Sequence, residues 1–188
     1  MSKQIAIVYH SGYGHTQRQA EAVQAGAQAV AGVEASLYPV SQLTEAQWAR
    51  LDAADAIIFG SPTYMGAAAA KFREFAEASS GRWMSRTWQD KLAAGFTCSA
   101  SQSGDKLNTL VELFLFAQQQ GMVWVGLSLL PGNNSSQGSV DDLNRLGSSA
   151  GAMAQANADQ GAEAMRQSDL DTAAALGRRV AETLLRLK

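Results

Sequence analysis

Apolar residues along this chain fall into short unbroken runs, separated by stretches with a helical repeat. Ile5-Ala6-Ile7-Val8-Tyr9, Ala56-Ile57-Ile58-Phe59-Gly60 and Leu92 to Cys98 are continuous rather than alternating, the mark of strands covered on both faces in a parallel sheet. Val33 to Tyr38 predicts a shorter strand closed by Pro39, and Met122-Val123-Trp124-Val125-Gly126-Leu127 predicts a fifth. Thr16 to about Val30 is rich in strong helix formers, with Gly32 as its stop signal. Thr44-Glu45-Ala46-Gln47 has the spacing of a capping box and opens a short helix to about Leu51. Ala68 to Ala78 predicts a helix with Phe72, Phe75 and Ala76 on one face. Leu107, Leu110, Val111, Phe114 and Leu115 recur at i, i+3, i+4, i+7 and i+8, so a helix ending at Gly121 is expected to bury that stripe. Leu130 to about Gln167 is rich in Gly, Ser, Asn and Ala with weak periodicity, and an irregular stretch of that length is usually functional. Ser168-Asp169-Leu170-Asp171 is expected to cap a last helix carrying Ala173, Leu176, Val180, Leu184 and Leu187 inward.

Strands alternating with helices give an α/β protein whose sheet is parallel and whose crossovers are right-handed. Residues 1–188 fit a single domain, since neither a repeat nor a linker interrupts them. For five strands the doubly wound order is 2-1-3-4-5, which reverses between strands 1 and 3. Loops after strands 1, 3 and 4 then converge on one crevice, and those loops carry the candidate chemistry.

The first, Ser11-Gly12-Tyr13-Gly14-His15-Thr16, joins a buried strand directly to a helix. Free amides at a helix start, with the dipole behind them, form an anion site, and the Ser11 and Thr16 hydroxyls add donors. The loop lacks the lysine of G-x-x-x-x-G-K-[ST], and Gln17 stands where G-x-G-x-x-G needs its last glycine. A terminal monophosphate therefore fits better than a triphosphate or a dinucleotide, although such a turn also occurs as a plain capped βα connection. The second, Ser61-Pro62-Thr63-Tyr64-Met65-Gly66, offers a stiff turn with an aromatic tip, which suits a planar ligand. The third, Ser99-Ala100-Ser101-Gln102-Ser103-Gly104, has small residues that let backbone approach a ligand edge. Read alone, it is equally a flexible serine-rich linker.

Composition narrows the function. A net charge of −2 gives no basic field for nucleic acid and no polybasic membrane anchor. Cys98 is the sole cysteine, so neither an internal disulfide nor a cysteine-ligated cluster is expected. His10 and His15 follow no metal-binding pattern. The first apolar run is too short for a signal peptide and no run reaches membrane-spanning length, so a soluble cytoplasmic protein is expected. Cys98 ends an apolar strand, as inert core cysteines do, and His15 lies at a helix N-terminus, where the dipole disfavours its protonated form. Covalent catalysis is not expected from either.

Taken together, IVYHSGYGHT, IIFGSPTYMG, the serine-rich loop into a helix and GMVWVG resemble the flavodoxin-like tryptophan-repressor-binding-protein family of NAD(P)H:quinone oxidoreductases, in order from about Ile5 to Gly126. The resemblance implies a flavodoxin-like three-layer sandwich. It also implies FMN as a non-covalent cofactor, NAD(P)H as co-substrate and a quinone-like small molecule as acceptor. It places Ser11, Gly12, Tyr13, Gly14, His15 and Thr16 on the FMN phosphate, with Tyr13 also near the nicotinamide side. Pro62, Thr63, Tyr64 and Met65 fall to the isoalloxazine, and Cys98, Ser99, Ala100, Ser101, Gln102 and Ser103 to its pyrimidine edge. Trp83 matches an aromatic beside the quinone site, and it equally suits a hydrophobic anchor for its helix end. A homodimer or a tetramer is implied as well.

The chain departs from the family in four places. Gln118-Gln119-Gln120 stands where a histidine is usual, and the third loop is Ser/Ala-rich rather than Gly-rich. Arg145-Leu146-Gly147-Ser148-Ser149 replaces a Gly-Gly-x-Pro-Tyr-Gly segment, and an insertion after strand 2 is absent. These departures fall where the family builds its tetramer and substrate roof. Two further readings follow from the same residues: a flavodoxin-type electron carrier and a flavin-free interaction module. Nitroaromatics, azo dyes or free flavin are alternative acceptors.

Overall fold

The computed structural model describes residues 2–187. In chain order its elements are β1 (Lys3–Tyr9), α1 (His15–Gln28), β2 (Val33–Pro39), α2 (Glu45–Ala53), β3 (Ala56–Tyr64), β4 (Ala67–Ala68), α3 (Ala70–Ala78) and α4 (Ser80–Met84). β5 (Leu92–Ser99), α5 (Lys106–Gln119), β6 (Val123–Trp124), β7 (Ala152–Gln155) and α6 (Gln167–Arg186) complete them. The sheet runs β2-β1-β3-β5-β6, with β4 folded back on β3 and β7 paired to β5. Its long pairings are all parallel, so the five expected strands stand in the expected order with two short ones added.

Continuous apolar strands become cores on both faces. Ile5, Ile7 and Tyr9 of β1 pack with α1 and α6, while Ala6 and Val8 face α2, α3 and α5. The second face holds an aromatic group of Phe59, Phe72, Phe75, Trp88 and Phe116. Trp88 is fully buried there, and its indole N–H donates to Asp52 at 2.8 Å. On the first face α1 and α6 touch backbone to backbone. A Cβ on Gly177 would stand 2.0 Å from the Val23 carbonyl oxygen, and one on Gly26 would stand 1.9 Å from that of Ala174. Only glycine permits that approach.

Thr44 caps α2 through the expected reciprocal box with Gln47. Four other expectations are corrected. β3 does not end at Gly60. It continues to Tyr64, pairing Pro62 with Cys98, before a hairpin to β4. A proline ordinarily argues against a central strand, and that is what shortens the sequence reading.

The fifth strand is split. Only Val123–Trp124 form ladder pairs with β5, and a last backbone bond joins Val125 to Ala93. β7, from within the weakly periodic segment, takes the rest of that edge beside Phe96–Ser99. Met122, Val125 and Leu127 are buried all the same, so their pattern reported burial rather than pairing.

α5 buries Leu110, Leu113 and Ala117, while Leu107, Val111, Phe114 and Leu115 are exposed. That helix is apolar around much of its circumference, so more than one stripe fits the repeat. In α6, Ser168 and Asp169 are buried within the helix rather than capping it, and Leu187 lies exposed beyond its end.

Candidate functional site

The carboxyl ends of β1, β3 and β5 open on one crevice of about 390 Å³. It lies where the strand order reverses, the place where open α/β sheets bind ligands. Ser11, Tyr13, His15 and Thr16 line it from the first loop, Pro62, Thr63 and Tyr64 from the end of β3, and Cys98, Ser99 and Ala100 from the end of β5. Ala156 and Ala158, from the chain leaving β7, form a fourth wall. Both belong to the Leu130–Gln167 stretch that the sequence marks as functional, expected to fold over the bound ligand or to form a subunit contact. The sequence does not single them out, because short small-residue stretches carry almost no periodic signal.

The first loop is built as an amide cradle. Ser11 Oγ accepts the backbone N–H groups of Gly14 and Gln17, both at 3.1 Å, which fixes the turn and leaves the hydroxyl proton free to donate. Gly14, at φ 88°, precedes the first residue of α1 without a side-chain cap. The amides of His15 and Thr16 therefore lie in the first turn, where no intrahelical acceptor exists. His15 lines the crevice with Nε2–H donating to the Gln160 carbonyl at 2.9 Å, which ties the chain after β7 to the loop. Its neighbour His10 is held below the usual imidazole range by burial, with Lys71 acting in the same direction. It is therefore neutral at physiological pH and unsuited to act as an acid.

Loops one and two are joined. The Tyr64 hydroxyl lies against Gly12; burial raises the phenol's pKa overall, while the Gly12 backbone acts to lower it. A Cβ on Gly12 would lie 2.5 Å from that hydroxyl oxygen. Tyr13 and Tyr64 meet edge to face with centroids 6.3 Å apart, giving the crevice an aromatic lip. Beneath them the hydroxyl of Thr63 lies 2.8 Å from those of both Thr97 and Thr109, a buried chain that fixes the end of β3.

Other expected site residues lie outside the crevice lining. Gly12 and Gly14 shape the loop backbone, and Met65 is fully exposed at the hairpin tip. Gln102 and Ser103 border a neighbouring groove with Leu107, Val111 and Met153, and the Ser101 carbonyl turns inward to Lys106. Trp83 lines a separate cavity with Phe116, Gln119 and Gln120. The thiol of Cys98 is pushed up to about 12 by burial.

Behind the third loop lie charges that the sequence did not reveal. Arg145 and Asp169 form a buried two-pronged pair at 2.8 and 2.7 Å, and Asp169 also accepts the Gln155 amide at 2.9 Å. Arg145, which stands in the place of a missing roof motif, thus ties the segment before β7 to α6.

A crevice at the switch point of a β2-β1-β3-β5-β6 sheet, bordered by an amide cradle and an aromatic lip, defines a nucleotide-type site of the flavodoxin class. Residues 6–131 match the family model described as a flavodoxin domain. The chain is 45% identical over 184 residues to flavodoxin FldP of Pseudomonas aeruginosa, covering 96% of each. It is 36% identical over 204 residues to an NAD(P)H dehydrogenase (quinone) of Geobacter sulfurreducens, covering 97% of this chain and 98% of that one. Among solved structures, a flavodoxin, WrbA-like protein from Agrobacterium tumefaciens superposes with a TM-score of 0.77 at 44% identity over the whole of both chains. The chain belongs to the flavodoxin-like oxidoreductase family, as its loops indicated. The donor set fits the flavin that this family implies: orphan first-turn amides and a free Ser11 proton for a phosphate, and tyrosine faces for a planar ring.

Proposed function

We propose that this protein is an FMN-dependent oxidoreductase that passes two electrons from NAD(P)H to a quinone or a similar small acceptor. The observation that carries the reading is the union of the Ser11–Thr16 amide cradle with the Tyr13–Tyr64 lip in one crevice. FMN, when bound, supplies the hydride and electron chemistry, and the chain supplies binding, orientation and electrostatics. Ser11 Oγ and the amides of His15 and Thr16 would hold the phosphate. Tyr64, Pro62 and Thr63 would wall the ring, and Ser99 and Ala100 would meet its edge through the backbone. Tyr13, largely exposed at the lip, would bound the space through which a nicotinamide or a quinone enters. No side chain is assigned as a proton donor: Cys98 is a buried neutral thiol, and His15 is engaged with Gln160.

Relatives at 32–36% identity named NAD(P)H dehydrogenase (quinone) support this reading. The relative named a flavodoxin, at 45% identity, favours the second reading, an electron carrier that docks on protein partners. Steady-state oxidation of NADH and NADPH by the FMN-loaded protein with benzoquinone separates them. The enzyme reading expects turnover of about 1 s⁻¹ or more, within the usual range for enzymes, with parallel initial-velocity lines. Turnover no faster than free FMN in the same buffer would sink it in favour of the carrier.

A further inference from the structure

Lys106, the first residue of α5, is only 1% exposed, a rare environment for an amino group unless every proton finds a partner. Its Nζ donates to the Ser99 hydroxyl at 2.8 Å, the Ser101 carbonyl at 2.8 Å and the Gln102 carbonyl at 2.7 Å. All three partners belong to the third loop. The carbonyl before them, on Ala100, is taken by Gln155 Nε2 at 2.8 Å, and Gln155 is itself held by Asp169. Three consecutive carbonyls are thereby drawn away from the crevice that Ser99 and Ala100 line. Asp169 is already matched by Arg145, so Lys106 leaves one net positive charge behind the loop.

We propose that Lys106 is the positioning residue of the third loop: it pins the loop's carbonyls inward, leaving its amides to the edge of the bound flavin, and sets a buried positive charge behind that edge which favours the reduced cofactor. The inference rests on the flavin reading above and adds to it a residue that sets affinity and potential. Charge near the ring is one of the few means by which a protein tunes a flavin. A lysine serves here because its three protons match three oxygens of one loop.

The ionisable groups facing Lys106 are Cys98 on β5, Asp169 on α6 and Arg145 in the connection before β7. Burial lowers the lysine to about 8, and Arg145 acts in the same direction against Cys98 and Asp169. The charge is therefore present at pH 6.5 and gone at pH 9.5, which gives a readout that a purely structural lysine would not move.

The experiment compares the wild type with Lys106→Met, which loses both donor and charge, and Lys106→Gln, which keeps a donor. Apo-proteins are titrated with FMN and with riboflavin by fluorescence quenching. Midpoint potentials are then measured against a reference dye at pH 6.5 and 9.5. Lys106→Met is expected to weaken FMN and riboflavin by the same factor, about tenfold, because the phosphate cradle is untouched. Lys106→Gln is expected to keep more of the affinity. At pH 6.5 both variants should lose a further tenfold for the reduced cofactor, which lowers a two-electron midpoint by about 30 mV, and the gap should close at pH 9.5. Affinity and potential equal to wild type in folded variants would overturn the proposal, as would a gap unchanged at pH 9.5. Should neither variant fold, the wild-type profile decides: a change of slope near pH 8 supports the assignment and its absence overturns it. A wild type that binds no FMN would instead overturn the flavin reading, and this proposal with it.

Discussion

Cys98, the residue before the last of β5, lines the crevice, yet burial leaves it a thiol across the physiological range. The thiolate is the reactive form, so Ellman's reagent should leave the folded protein unmodified for hours and label it within seconds once denatured. Rapid labelling of the native state would show the wall to be open. The same shift has a stability consequence. A group whose folded pKa lies above its unfolded value, here about 12 against 9.0, contributes fully below pH 9, and that contribution is lost between pH 9 and 12. Cys98→Ala should therefore flatten the alkaline loss of stability by at most about 1.4 kcal/mol per pH unit. At this scale the sequence was partly legible. Ser11, Thr16 and Tyr64 advertise themselves because they sit in loops between strong strands and helices. Lys106 and Arg145 do not, since a lone basic residue is ordinarily solvated and only tertiary structure reveals what encloses it.

Among the elements, α1 and α6 depend on a contact that no hydrophobic pattern announces. Gly177→Ala would force a methyl group against the Val23 carbonyl. Overpacking of this kind costs about 1–3 kcal/mol, so a fall of roughly 3–10 °C in Tm by circular dichroism is expected for a chain of this size. An unchanged Tm would mean that the two helices are not held backbone to backbone. Element existence was legible because periodicity reports burial directly, and β1, β5 and α2 follow their sequence patterns closely. Pairing and facing were less so. Pro62 hides the continuation of β3, the Met122–Leu127 run hides its early departure from the sheet, and α5 carries more apolar residues than the sheet can cover. β7 escapes because four residues without a clear alternation are indistinguishable from the small-residue chain around them.

For the molecule as a whole, the order of strands matters more than any one side chain. A strand order that reverses between the parallel neighbours β1 and β3 leaves a gap between their crossovers, and the loops after β1, β3 and β5 must border it. The site could thus be located before its residues were interpreted, whereas its fourth wall at Ala156 and Ala158 depended on a segment whose path the sequence did not encode. The central claim is that the first loop is a phosphate cradle serving a flat redox ring. Isothermal titration of the apo-protein with FMN and with riboflavin, which differ only in the phosphate, tests it most directly. The account predicts at least a hundredfold tighter binding of FMN, about 2.7 kcal/mol, with most of that advantage lost in Ser11→Ala. Equal affinity for the two ligands, or binding of neither, would contradict it.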